Sequence, residues 1–570
     1  MYFCLWYKSI SLDYFGFAQF LANLMLMKKV FYLTLILASS FLKKDALANF
    51  INVQNTTLTG QNTTTGTIQV QFDLSWNNSW RDSINYDGAW VFVKYRIGSG
   101  NWIHANLAST GFVNGTGTNH VIQIAPLTAT NIRPGAMIYR GVGGVGNFGV
   151  TGMQLSWAYG TQTVSNADAL TAQLRVFATE MVFIPQGNFF VGDGVNTRFH
   201  LYNGGTAPIQ ITGTAYSSQF FFNSINMTHR AHGQNGLDIN GNSLVDAYPT
   251  DNPDYPTGWK AFWMMKYEIS QGQYTDFLNT LTYDQQTSRF PGGNVNTVNF
   301  NIQSGSTTDN NRYTIRVGTT GTSPSTPRVL ITVRPDRANN FMDWTDLAAF
   351  SDWSGLRMLT ELEYEKAGRG FLNAVANEFA WGTATGVAGT TLSGTENGTE
   401  TITEAGANYS LISTARSGGD GNTGPLRVGI HATSTTTRTQ SGASYFGVMD
   451  LTGNVGEMYV NVQHNNGRTY RGYDAQWHGD GTLLTDGFAY VANWTGNAAT
   501  TTNVATTAVT VNQNTGFVYR GHNQSVTNGS DDYRLNDRFS VGNTVGATAT
   551  SFNNSGRVFW TGGRVGRSGW

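Results

Sequence analysis

From Asn49 to Phe177 apolar and polar positions alternate. Ile68, Val70, Phe72, Leu74 and Trp76 are separated by Gln69, Gln71, Asp73 and Ser75, the period of two that turns one face of a strand towards a core. Ala89-Trp90-Val91-Phe92-Val93-Lys94-Tyr95 is apolar on both faces and predicts a central strand. Short strands broken by Asn, Gly and Thr predict an antiparallel β-sandwich over residues 49–177. From Met181 onward helical spacing enters. Tyr274, Phe277, Leu278 and Leu281 follow a capping box of Ser270 and Gln273. Asp343 stands as an N-cap before Leu347, Phe350 and Trp353, with Gly355 placed to end that helix. Thr360 and Glu363 open another helix, which Gly370 closes. These apolar stripes predict core rather than site. The stretches 292–325, 383–406 and 485–515, rich in Gly, Thr and Asn, read as loops or insertions. The predicted fold class is α+β: a strand unit, then a unit spanning 181–570 with few helices.

The first 48 residues carry a different pattern. Met27-Lys28-Lys29 supplies a positive segment, Val30 to Leu42 an apolar one, and Ala46-Leu47-Ala48 an A-x-A cleavage site. The apolar run is too short to cross a hydrocarbon layer of about 30 Å as a helix. Lys43 and Lys44 are unusual in a cleavage region and leave an uncleaved anchor as the alternative, and residues 1–26 read as an upstream extension. No later apolar run is long enough to be a membrane helix. The expectation is export by a signal peptide, to the medium or the cell surface, with no integral membrane segment after its removal.

Charge narrows the partners. Charged residues make up 12% of the chain, and 35 basic residues nearly cancel 36 acidic ones. A net charge of −1 gives no field to gather nucleic acid or anionic lipid. The aromatic share of 13% argues for an ordered chain. The single cysteine, Cys4, lies ahead of the expected cleavage site, so the mature chain would hold no disulfide, zinc-thiolate site or thiol nucleophile. Gly141-Val142-Gly143-Gly144-Val145-Gly146 matches G-x-G-x-x-G, but strand-like residues follow it where a dinucleotide site needs a helix. A glycine hairpin is expected there.

The order of several motifs is more specific. Met181–Val191 and then Met265-Lys266-Tyr267-Glu268-Ile269-Ser270 open the second unit. Arg357-Met358-Leu359-Thr360-Glu361-Leu362-Glu363-Tyr364-Glu365-Lys366-Ala367 is similar to R-L-P-T-E-A-E-W-E-Y-A, and Phe379-Ala380-Trp381-Gly382 to P-W-G. Gly447-Val448-Met449-Asp450-Leu451-Thr452-Gly453-Asn454-Val455-Gly456-Glu457 is similar to G-L-Y-D-M-x-G-N-V-W-E, and Gly562-Gly563-Arg564-Val565 stands where G-F-R-C would. In this order they resemble the formylglycine-generating, or sulfatase-modifying factor, family over residues 181–570. The resemblance implies that family's elaborated C-type-lectin-like α+β domain.

That family uses two cysteines to bind copper and convert a sulfatase cysteine to formylglycine. The corresponding segment would follow Tyr470-Arg471-Gly472 or Tyr519-Arg520-Gly521-His522-Asn523, where Val526 and Asp531 fall near the thiol positions. Valine and aspartate cannot replace a thiolate pair as soft copper ligands, so copper and the sulfatase-activating reaction are not expected. A histidine-iron branch is disfavoured too, since His229, His232 and the His478-Asp480 pair lack a third ligand. What the resemblance still implies is structural calcium. One site would take the carboxylates of Asp450 and Glu457 with the carbonyls of Gly453 and Val455. The other would take Asn408, the Tyr409 carbonyl, Asp420 and the Asn422 carbonyl. Asp238, Asn240, Asn242 and Asp246 form a further D-x-N loop without the glycine and terminal glutamate of an EF-hand.

The expected function is an exported, non-catalytic family member acting as a surface-binding or structural module. Its partner would be a surface glycan or protein, with self-assembly open, and residues 519–570 are its expected contact loops. The alternative is a cysteine-independent oxidase or protein-maturation enzyme on the same scaffold.

Overall fold

Alternation in the first strands becomes a ladder in the computed structural model. The structure describes residues 51–194, 207–213, 252, 254–290, 311–321, 326–412, 417–433, 435–462, 467, 469–495, 516–521, 533–538 and 557–570. Met1–Leu47 and Ala48–Trp570 separate as two units, and the expected signal segment lies outside the described residues. The second unit is strand-rich, with few helices, and is α+β as expected.

Strand β1 (Asn52–Asn62) pairs with β2 (Thr67–Arg81), and β2 with β6 (Gly144–Trp157), all antiparallel. The inward residues Ile68, Val70, Phe72, Leu74 and Trp76 are at most 1% exposed, and burying each contributes about 1.5–3 kcal/mol. β3 (Tyr86–Arg96) is buried on both faces, as its unbroken apolar run requires. One edge pairs with β5 (Ala136–Arg140), itself paired with β4 (His120–Ile124). The other pairs with β7 (Gln173–Ile184) from Tyr86–Phe183 to Arg96–Gln173. β2 and β3 meet in the ladder at one pairing, Arg81 with Tyr86, yet bury their apolar faces in one core.

The Gly141–Gly146 stretch corrects one expectation. Its first three residues link β5 to β6 and its last three open β6, but β5 and β6 pair with different neighbours, so it is a crossing connection rather than a hairpin. The expected lack of a following helix holds, because β6 begins at Gly144.

β7 runs through the point at which the sequence pattern changes. Its last residues, Met181–Ile184, pair with β8 (Phe262–Met265), which pairs in turn with β12 (Gly566–Ser568) near the chain's end. The early and late parts therefore share one eleven-stranded sheet. They also share a core: Trp90, Phe92, Met137 and Tyr139 cluster with Phe277, Leu347, Phe350 and Trp353. Phe92 meets the Trp353 ring edge-on at 5.0 Å.

The helices begin where their caps predict. Ser270 caps α1 (Gln271–Leu278), Asp343 caps α3 (Trp344–Trp353) and Thr360 caps α4 (Glu361–Arg369), each through a reciprocal capping box. Helix α2 (Tyr283–Arg289) has the same signature in Thr282 and Gln285, but too few apolar residues to announce itself by periodicity. Three short strands form a separate small sheet in the late part. β9 (Gly456–Val460) lies between antiparallel β10 (Phe517–Arg520) and parallel β11 (Thr561–Gly562). Among the described residues no helix is long and apolar enough to cross a membrane.

Candidate functional site

Helix α4 and strands β9 and β10 bring the sequence motifs together, and what they build is ionic. Arg357 donates two bonds to Glu363, at 2.6 and 2.9 Å, while Thr360 N–H also donates to Glu363 at 3.0 Å. Two residues earlier, Glu361 accepts from Arg520 at 3.0 Å, from Arg538, and from Val462 N–H at 2.8 Å. Glu365 accepts from Arg520 at 2.7 Å, Arg369 at 3.1 Å and Gly192 N–H at 2.7 Å. Arg369 also binds Glu378. Helical spacing puts Glu361 and Glu365 on one face, where Arg520 of β10 bridges them. All are buried. Burial pushes the Glu365 carboxyl up, but Arg520 and Arg369 outweigh it and hold the group below its ordinary range. The acidic motif is therefore a closed charge network, with no free carboxylate for proton transfer.

A second network surrounds β9. Both Glu457 oxygens accept from Arg564 at 2.6 Å, and Tyr459 O–H donates to Glu457 at 2.6 Å. Glu268 accepts from Val455 N–H at 3.0 Å and from the Asn454 amide. Asp450 accepts from Gly429 N–H. The turn between them is tight: Asp450 and Asn454 have left-handed backbones, with φ of 57° and 61°. Gly453 has φ 85°, and a Cβ there would lie 2.5 Å from the Ser410 carbonyl oxygen, so only glycine fits.

Electrostatically this loop is unbalanced. Glu268, Asp450 and Glu457 interact with one another, with Arg564 paired to Glu457 and Arg427 also attracting Asp450. Burial, then repulsion from Asp450 and Glu457, pushes Glu268 well above the carboxylate range. Burial lifts Asp450 to about 6, against the Gly429 N–H and Arg564. Protonation of the raised carboxyls relieves this crowding, and a hard cation bound there would relieve it instead. The geometry matches the expected calcium set less well, since Glu457 is committed to Arg564. Among the described residues no three acidic or histidine side chains are placed as a metal-binding group.

The other expected set is not drawn to one point by its bonds. The Asn408 amide oxygen accepts from Val387 N–H at 3.0 Å, and its nitrogen donates to the Thr439 carbonyl at 2.9 Å. Tyr409 lies in an aromatic cluster with Phe379, Trp381 and Tyr533. Asp420 turns to Arg312 and Arg337, and Asn422 N–H donates to Asp420 at 3.2 Å.

A family model described as the sulfatase-modifying factor enzyme 1-like domain matches residues 167–517, more than half the chain. The chain belongs to that family. No match was found among curated proteins. The match begins inside the linker to β7, and it ends at the start of β10, short of Arg520, Arg538 and Arg564. Those arginines nevertheless complete the charge networks of this family domain.

The remaining candidates divide clearly. His478 is a core residue: burial drives its pKa well below the ordinary value, and Nε2 faces the Gly472 carbonyl at 3.0 Å. Tyr470 donates to the Met358 carbonyl at 2.7 Å, so the Tyr470–Gly472 stretch braces the Arg357 turn. His229, His232, the Asp238–Asp246 loop, His522, Val526 and Asp531 lie outside the described residues. Residues 519–570, expected as contact loops, include buried core where described: Tyr519, Arg520, Trp560, Val565 and Arg567 are all at most 2% exposed. Their aromatic and arginine content serves packing and ion pairing there. Sequence reasoning missed Glu268, Arg312, Arg337 and Glu396. For Arg312 and Glu396 the available signal was rarity, because charges this sparse stand out inside Gly/Thr/Asn-rich loops.

Proposed function

We propose that this family member is an exported, non-catalytic module that binds or builds at the cell surface. The observation that carries the reading is the absence of any cysteine after Cys4 in a chain that keeps the family scaffold. Copper-dependent oxidation by this family's route needs a thiolate pair, and here the acidic motif residues are consumed by arginines. Export rests on the amino-terminal pattern of Met27–Ala48. We read the early strands as a β-sandwich and the rest as the lectin-like domain. Their shared sheet and core favour one rigid body for display over a mobile adhesive arm. Calcium belongs to this reading at the Asp450 loop, where the surplus of carboxylates over guanidinium supports a structural cation.

A binding screen of the mature protein against surface glycans and surface proteins, with and without chelator, tests the reading. Saturable binding to one class without turnover supports it. Stoichiometric copper or iron in the purified protein, with oxygen consumption, would replace it by the alternative of a cysteine-independent oxidase or maturation enzyme.

A further inference from the structure

Asp420 and Asn408 stand where the resemblance assigns calcium, yet the chain neutralises Asp420 itself. One Asp420 oxygen accepts from Arg337 at 2.8 Å and the other from Arg312. Glu396 repeats the arrangement, accepting from Arg337 at 2.8 Å and from Arg312 through its other oxygen. Two carboxylates and two guanidiniums form a closed quartet whose formal charges cancel. The side chains of Arg312, Arg337 and Glu396 are 1%, 3% and 4% exposed, and that of Asp420 is 29% exposed.

Every member is held from behind. Arg312 donates through Nε to the Pro425 carbonyl at 2.8 Å, and Arg337 donates to the Arg312 carbonyl at 3.0 Å. Asp420 N–H donates to Glu396 at 3.2 Å. Asn311 and Arg312 adopt left-handed backbones with φ of 46° and 62°, unusual for two successive residues without glycine. Gly424 allows the approach, since a Cβ there would lie 2.1 Å from the Asn311 carbonyl oxygen. The backbone is bent so that Arg312 reaches the two carboxylates.

Charge decides what this quartet can accept. Calcium would bring two positive charges to Asp420 and Glu396, and the two arginines already bring the same two. A calcium ion added here would face two buried guanidiniums, with Asn408 tied elsewhere. Guanidinium–carboxylate bonds are directional and short, so they fix a loop as a metal does. Arg564 tells less, because it stands at the family's own G-F-R position. Arg312 and Arg337 belong to none of the motifs that carry the resemblance.

We infer that the Arg312–Arg337 pair replaces calcium at the Asp420 loop, giving that loop a covalently tethered staple that chelation cannot remove. This inference is independent of whether the Asp450 loop holds calcium, and the test separates the two.

The experiment is thermal unfolding and terbium luminescence of the full mature protein and three variants, in chelator and in millimolar calcium. Asp420→Asn is expected to keep the calcium response and terbium signal of the parent, whatever their size. Arg337→Met is expected to lower Tm equally in both media, with no recovery in calcium. Asp450→Asn reports the other loop, and loss of a calcium response there alone leaves the inference standing. Loss of the calcium response in Asp420→Asn would overturn it, as would restoration of Arg337→Met by calcium. If Arg337→Met does not fold, Asp420→Asn decides alone.

Discussion

The strands before residue 173 and the domain built around α4 are stabilised in different currencies. In the first, β2, β3, β5 and β6 pool apolar side chains, and the backbone ladder satisfies the rest. The described ion pairs lie almost wholly in the second, where Glu361, Glu363, Glu365 and Glu457 each meet a buried arginine. Asp87 is the exception. It accepts from Trp76, Ser79 and Trp80 N–H within β2, then meets Lys266 of the later part at 3.6 Å. The contrast follows from regular structure. A long ladder needs few charged side-chain partners, whereas short strands and loops leave more polar groups for side chains to satisfy.

Breaking one partner of a buried network should therefore cost most. Glu361→Gln leaves Arg520 and Arg538 without their shared counter-charge and should destabilise the protein by about 3–5 kcal/mol in chemical denaturation. Replacing Glu361, Arg520 and Arg538 together by apolar residues of similar volume should cost less than Glu361→Gln alone. If the single change is as mild as a surface substitution, the network is not what holds α4.

Lys366 provides the next test. It lies in α4 with its ammonium against the Phe189, Phe262 and Phe371 rings and the Gly258 carbonyl. Burial lowers its pKa to about 7, with Glu363 acting in the opposite direction. The unfolded lysine titrates near 10.5, so between these values the unfolded chain binds more protons. Its contribution to stability must rise with pH from about 7 towards 10.5. Lys366→Met should flatten that part of the stability–pH curve; an unchanged slope would show that the lysine is not desolvated.

In the strand region the effects should be smaller. Ile68→Val removes one methylene from a fully buried site and should cost about 1 kcal/mol. The same denaturation series should show Thr360→Ala losing about 1 kcal/mol through its cap, unless its bond to the Pro256 carbonyl adds more.

This contrast also explains what the sequence revealed. The period of two in β2 and the capping boxes of α1, α3 and α4 are local signals, and the structure follows them. Motif order pointed to the family, which the match over residues 167–517 shows. The partners of those motifs were hidden because they are distant: Glu457 meets Arg564, and Glu361 meets Arg520 and Arg538. The joined sheet was hidden too, since nothing within β7 tells that one edge pairs with β3 along its length while the other, at Met181–Ile184, takes β8. Asp420 was visible as a ligand, but the arginines that take it come from loops with no period to read.

With no cysteine after Cys4, the proposed reading has this chain perform no thiol-based oxidation. The most direct test is mass spectrometry of a cysteine-containing sulfatase-type peptide incubated with the protein, copper, oxygen and a thiol reductant that reverses adventitious disulfide formation. A peptide of unchanged mass, with its thiol intact, is expected. Catalytic conversion of that cysteine to an aldehyde would contradict it.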